Sequence, residues 1–199
     1  MTRHGEFNTT KDVLLKTAVE MIREEGLDGF SARKLAARCG VTHQVPYRYF
    51  ENKEALMGSV IAEILAQMSA YVSAVVKKRK KEEPFLVLCE ESIRFLVRNP
   101  NFGILIYSNE GGKKANQSVI EHFRRLYFDF EEISKDYFRR CGVPEEKCAD
   151  VFDMINAMMP GLAIRMINKG IIVDGDLKPV IHMMLEDILH LKVKRAGDK

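Results

Sequence analysis

Apolar residues recur at intervals of three and four along nearly the whole chain, and strict alternation is scarce. That is the period of helices packed on a core, so the predicted fold class is all-α. Leu14, Ala18, Met21 and Ile22 form the first apolar stripe and predict a helix over 10–25. Thr9 or Thr10 can cap it, and Gly26 ends it. A short connector, 27–30, precedes Ser31, which caps a second helix over 32–38 with Leu35 and Ala36 inward. Cys39-Gly40-Val41 is a tight turn. Gly40 there permits a positive φ and a close helix crossing. Thr42 is placed as the cap of a short third helix reaching Phe50. Asn52 caps a fourth, from Lys53 to about Val76.

Further on, 77–83 is a charge block, read first as a solvated helix end and linker and second as a phosphate-binding arm, though it lies far along the chain from the reading helix. Pro84 suits the first turn of a helix to Arg98, and Asn99-Pro100 breaks it. A short apolar helix follows over 101–107, then a Gly- and Lys-rich loop over 108–115. A long helix is predicted over 117–140, stopped by Cys141-Gly142-Val143-Pro144. Another covers 145–169, with a kink or local stop expected at Pro160-Gly161. A last helix covers 177–192.

With 46% hydrophobic and 30% charged residues, a real core is possible over the 199 residues, which suffice for a small domain on a larger one. The expected division is 1–56 and 57–199. A net charge of +3 is too mild for a purely electrostatic nucleic-acid coat, so any such binding must use a local surface. Cys39, Cys89, Cys141 and Cys148 form no C-x-x-C pair and complete no zinc spacing, so reduced thiols and no metal are expected. The N-terminal stretch is polar with no apolar leader behind it, and no stretch is read as approaching the roughly 18 apolar residues of a membrane span. The expectation is a soluble cytoplasmic protein with no membrane partner.

The informative segment is 30–56, FSARKLAARCGVTHQVPYRYFENKEAL. Leu35, Ala36 and Val41 are small or medium apolar groups at the inner corner of two short helices. That geometry pushes the start of the third helix outward, where it can enter a major groove. Thr42, His43 and Gln44 can then read base edges, Gln44 suiting the N6/N7 pair of adenine. Tyr47, Tyr49 and Lys53 offer hydroxyl and ammonium donors for phosphates, beside the free N–H groups of a helix start. Ser31 and Arg33 can clamp neighbouring phosphates. Pro46 lacks an N–H but falls in the first turn, where none is needed. Phe50 is assigned to the core; Lys34, Arg38 and Arg48 stay open between solvated charge and contact.

The run Phe30-Ser31-x-Arg33-x-Leu35-Ala36-x-x-x-Gly40-Val41-Thr42, then Tyr47-Arg48-Tyr49-Phe50-x-Asn52-Lys53-Glu54-x-Leu56, closely resembles the TetR family of bacterial repressors. The resemblance covers about 9–62; beyond it only length and the helical pattern agree. It implies a three-helix DNA-binding domain plus the start of a fourth helix, then a helical domain for ligand binding and dimerisation. Carried over by position, contacts to operator DNA fall on Arg33, Thr42, His43, Gln44, Tyr47, Tyr49 and Lys53. The chain departs from many members in having Gln44 for a small residue and Pro46 for Leu, so no operator sequence is carried over.

One helix-turn-helix makes few contacts, so a homodimer reading two half-sites is expected. The wide apolar arcs of the last two long helices supply candidates: Met159, Ile167, Ile181, Met184, Leu185 and Ile188. The aromatic and Met residues between Met68 and Met159 suggest an apolar effector cavity. Candidate lining residues are Tyr71, Phe95, Phe102 and Tyr107, with Phe123, Tyr127, Met154 and Met158. The effector would be a hydrophobic or amphipathic small molecule that favours a conformation unsuited to DNA. The alternative is a DNA-binding regulator with no small-molecule effector. An enzyme is not expected. No G-x-S-x-G, phosphate-cradling Gly loop, H-E-x-x-H or cofactor motif is present, and Glu90-Glu91 and Glu131-Glu132 are neighbours that point apart on a helix.

Overall fold

The computed structural model describes residues 9–107, 130–169 and 177–188. Among them there are helices and turns and no strand. Helix α1 spans Thr10–Gly29. Thr9 Oγ1 accepts from the Asp12 N–H at 3.3 Å and the Asp12 carboxylate accepts from the Thr9 N–H at 3.0 Å, a reciprocal cap. Gly26 interrupts the helix with φ 70° and ψ −172°, so regular helix ends where the sequence says; residues 27–29, expected as connector, add another helical turn. Helix α2 spans Ala32–Arg38 and is capped by Ser31, whose Oγ accepts from the Lys34 N–H at 3.1 Å.

Both glycine turns have the same construction. The Gly40 N–H donates to Ala37 O at 3.1 Å and the Val41 N–H to Ala36 O at 3.0 Å. In Cys141-Gly142-Val143 the corresponding bonds go to Arg139 and Phe138. Each satisfies two carbonyls that a helix end leaves over, and each needs the left-handed φ that Gly40 and Gly142 adopt. Close packing is not a second reason at Gly40: a Cβ there would meet nothing within 4 Å.

Helix α3 is Val45–Tyr49, later and shorter than expected. Thr42 is not its cap; its carbonyl accepts from the Val45 N–H at 3.0 Å in a preceding turn, and Gln44 holds the N-cap position without a side-chain bond. A helix capped at Thr42 would need the residue-46 N–H for its first bond to the Thr42 carbonyl, and Pro46 has none, so the helix starts later. Helix α4, Lys53–Lys78, is capped by Asn52 and runs from the N-terminal head into the body. By length and composition α4 could cross a membrane, with a mean hydropathy of 1.6 over its best 18-residue window. This corrects the sequence reading. Here Leu56, Val60, Ile64 and Val72 are buried in the bundle, so that apolar face forms core.

The body follows with α5 (Pro84–Arg98), α6 (Pro100–Tyr107), α7 (130–140), a 3₁₀ turn (Glu145–Lys147), α8 (Cys148–Asn168) and α9 (Lys178–His182), the last widening into a π-type turn over Met183–Ile188. Helix α8 runs through Pro160 without a break, contrary to the expected stop. Helix α5 packs on α4, α8 and α9, and α6 packs on α1 and α8. One hydrophobic core extends without a gap from Leu14 and Phe50 in the head to Ile181 and Leu185 in the body.

The charge block is not simply solvated. Lys77, Lys78, Lys80 and Lys81 are exposed, but Arg79 folds back into a cluster on α5. Its Nη2 lies 2.8 Å from Glu90, its Nη1 3.0 Å from Glu91 and its Nε 2.6 Å from Glu82. Glu90 and Glu91 are buried, and Arg94 joins them with Nη2 2.7 Å from Glu90. Two buried carboxylates are thus held by two guanidinium groups, an arrangement that neutralises them and leaves no acid–base pair. The Tyr71 hydroxyl donates to Glu91 at 2.6 Å; its pKa is raised, mainly by burial and then by this bond.

Candidate nucleic-acid interface and interior cavity

The end of the head opposite the body carries the predicted reading residues. Arg33, Thr42, His43, Gln44, Tyr47, Tyr49 and Lys53 are all exposed, and Ser31 is half-buried. Tyr47 and Tyr49 are among the most exposed large side chains, at 52% and 42%, while Phe50 between them and α4 is 4% exposed and belongs to the core. Burying an aromatic ring would gain about 1.5–3 kcal/mol, a gain that Tyr47 and Tyr49 forgo.

The basic residues around this surface divide into two groups. Arg38 is bound to α1, with Nη2 2.6 Å from Glu24 and Nη1 3.5 Å from Glu25. Lys34 Nζ donates to Gly29 O at 2.8 Å and lies 3.4 Å from Glu25. Both therefore hold α2 at its angle on α1. Arg33, Arg48 and Lys53 make no ion pair among the described residues, which leaves their charge for an outside anion. Arg48, left open from the sequence, joins this second group. The Asn52 cap occupies the Ala55 N–H at 2.8 Å, and Lys53 stands at the first position of α4 beside the uncapped donors.

In the body, an apolar cavity of about 30 Å³ lies among α4, α5, α7 and α8. Met68, Phe85, Phe130, Phe152 and Met159 are among its lining residues, with Ser92 and Asn156 as the polar ones. None of the five expected residues whose side chains are described lines it. Tyr71, Phe95 and Phe102 instead form a row of rings, 5.8 and 6.3 Å between centroids, and the Arg23 guanidinium lies 5.1 Å from the centre of the Phe102 ring. That row joins α4, α5, α6 and α1. Met154 is half-exposed to water at 50%, and Met158 is partly buried at the edge of the core. Phe123 and Tyr127, and the Tyr107 side chain, lie outside the described residues. The cavity was missed because its linings come from four helices, and periodicity names a face without naming what it meets.

The expected dimer residues are also redistributed. Met159 lines the cavity, and Ile181, Met184 and Leu185 are buried within the protomer's own core. Ile167 is half-buried, and the Ile188 side chain lies outside the described residues. Apolar surface is left instead at Met154 on α8 and Met183 in the last turn, each about half exposed. All four cysteines are free, as expected, and burial pushes the Cys89 thiol up to about 12. No cluster of metal-binding side chains exists among the described residues.

Residues 14–60 match the family model described as "Bacterial regulatory proteins, tetR family". Tetracycline repressor protein class D of Escherichia coli is 34% identical over 61 residues, 31% of this chain and 28% of that protein. Tetracycline repressor protein class A from transposon 1721, also of Escherichia coli, is 36% identical over 56 residues, 28% of this chain and 26% of that protein. The chain thus matches these relatives over only about a quarter of their length. Similarity of fold extends much further. A protein of unknown function from Rhodococcus sp. RHA1 superposes with a TM-score of 0.69 over 90% of this chain and 93% of its own, at 19% identity. The transcriptional regulator FadR from Bacillus subtilis, in complex with stearoyl-CoA, gives 0.61 over 87% and 96%, also at 19% identity.

Proposed function

We propose that this chain, a tetR-family regulator by the match of its residues 14–60, is a cytoplasmic repressor that binds a palindromic operator as a homodimer and is released by a small ligand. The family is one of regulators, not of enzymes. The observation that carries the reading is the exposed surface of Thr42, His43, Gln44, Tyr47 and Tyr49, flanked by the unpaired cations Arg33 and Lys53. Base edges fall to Thr42, His43 and Gln44; phosphates fall to Ser31, Arg33, Tyr47, Tyr49 and Lys53. The proposed division is a DNA-binding unit over 1–56 and an effector-binding and dimerisation unit over 57–199.

The dimer face is assigned to the exposed apolar groups Met154 and Met183 with the half-buried Ile167, in place of the residues that turn inward. The effector site is assigned to the cavity lined by α4, α5, α7 and α8. A regulator of the same fold was solved in complex with stearoyl-CoA, which supports a small-molecule ligand. A regulator without a small-molecule effector has one observation in its favour. The cavity, at about 30 Å³, has room for only about two waters at 10–15 Å³ each.

Selection of bound duplexes from a random pool by the purified protein, at physiological salt, tests the reading. Recovery of an inverted repeat supports a dimeric, sequence-specific binder. Recovery of no motif by well-folded protein overturns it.

A further inference from the structure

The cavity has a polar notch. Ser92, on α5, is 3% exposed and lines the cavity, and its hydroxyl has no hydrogen-bond partner among the described residues. Asn156, on α8, also lines it, and its side-chain amide has no partner among them either. A third group comes from the backbone. Pro160 lies inside α8 four residues after Asn156, and its nitrogen carries no hydrogen. The Asn156 carbonyl therefore lacks the donor that a helix normally supplies. Asn156 and Pro160 are both among the residues that line the cavity. Ser92 is buried and Asn156 half-buried, and polar groups so placed are normally hydrogen-bonded. Two side chains and one carbonyl left open at one apolar cavity form a site that awaits its partner.

We propose that this notch recognises the uncharged head of an amphipathic effector, one that both donates and accepts hydrogen bonds, such as an alcohol or a primary amide. The inference rests on the ligand-controlled reading given above and narrows its ligand class. Asn156 and Ser92 both donate and accept, and the freed carbonyl only accepts, so the head must bring at least one N–H or O–H. Among the described residues, no charged side chain lines the cavity. Glu90 and Glu91, next to Ser92 in sequence, are engaged by Arg79 and Arg94. A carboxylate or ammonium head would thus be desolvated without a counter-ion, which costs far more than the notch returns. The present volume fits the head and little more, so an apolar tail must displace side chains. Met68 and Met159, unbranched and adaptable, stand in its way and can give.

The test uses the full chain and an eight-carbon series, 1-octanol, octanamide and octanoate, at equal concentration and neutral pH. Thermal shift and calorimetric titration read binding; a gel shift on a duplex recovered by selection reads DNA affinity. The expected result is saturable binding of the alcohol and amide at least tenfold tighter than of octanoate. Asn156→Leu and Ser92→Ala should each weaken the alcohol about tenfold while both variants stay folded. Pro160→Ala returns a donor to the Asn156 carbonyl, so it should raise Tm without ligand and lower the shift produced by octanol. Octanoate binding as well as octanol, or octanol binding unchanged in Asn156→Leu, overturns the proposal. So does a cavity that holds only ordered water, seen as no binding by either neutral probe. In that last case retained operator binding by unliganded protein would show that the DNA reading survives alone, and its loss would show that both have failed.

Discussion

The side-chain amide of Asn101 donates a 3.0 Å hydrogen bond to the carbonyl oxygen of Arg23, seventy-eight residues earlier. Arg23 lies in the last regular turn of α1 before the break at Gly26, where carbonyls have lost their helical donors. Asn101 therefore closes the end of α1 from the first turn of α6, and it does so where head and body meet. The Arg23 guanidinium over the Phe102 ring reinforces the same junction.

Gly26 has a φ of 70° and a ψ of −172°, a region nearly closed to other residues, and a Cβ there would lie 3.3 Å from Asn101 Oδ1. Gly26→Ala should cost on the order of 1–3 kcal/mol in urea unfolding. Most of that cost should persist in an Asn101→Ala background, because it comes from the backbone. If it vanished there, crowding against Asn101 would be the cause instead.

Arg79→Met should destabilise the body by about 3 kcal/mol, the low end for breaking a buried pair, since Arg94 still faces Glu90 and Glu91. Lys178→Ala removes a half-exposed partner of Glu82 and should cost at most about 1 kcal/mol. Chemical denaturation of the two variants measures the difference. Equal small losses would mean that the Arg79 cluster is effectively solvated.

Hydrogen bonds from Arg79 first and Lys178 second hold the Glu82 carboxyl at about 2, against an ordinary 4.5. A depressed carboxyl binds fewer protons folded than unfolded, so its contribution is present above about pH 4.5 and is lost as pH falls towards 2. Wild type should therefore exceed Glu82→Gln in Tm at pH 6, with the gap closing over that window. A gap that stayed constant from pH 6 to about 2 would remove Glu82 from the acid response.

Phe50 and Tyr47 sit three residues apart and differ in burial, at 4% and 52% exposed. Phe50→Ala should cost about 3–5 kcal/mol of stability through the cavity it leaves. Tyr47→Ala should change stability by about 0.5 kcal/mol or less and act on DNA affinity instead. Thermal unfolding paired with a binding titration separates the two effects.

Lys53→Ala should weaken binding to every duplex alike and lower the salt slope by about one unit. Gln44→Ala should relax preference at one position per half-site, at about 1–3 kcal/mol. Binding isotherms at several salt concentrations on matched and mismatched duplexes check both, and a uniform loss for Gln44→Ala would take it off the list of base readers.

Most of the helix ends were legible in the sequence because each is a local event. Thr9, Ser31 and Asn52 cap within three residues of themselves, and Gly40 and Gly142 fix their turns by a φ that other residues avoid. Thr42 was misplaced as a cap because a hydroxyl before an apolar run is a common signal, and Pro46 delayed the helix beyond its reach. Pro160 does not end α8, which continues to Asn168 and packs on α5 and α6.

By itself the sequence determined the all-helical fold, the helix-turn-helix and its outward polar surface, since these depend on spacing and on residue chemistry within a few turns. Tertiary structure alone decided which neighbours the apolar faces meet. It turned Ile181, Met184 and Leu185 into the protomer's core, placed Phe102 against Arg23, and folded Arg79 onto two buried glutamates. It also brought Ser92 and Asn156, sixty-four positions apart, to one cavity. Periodicity fixes the face on which a side chain stands; the partner across that face is set by helix crossing and by which contacts close the core, and these are properties of the whole chain.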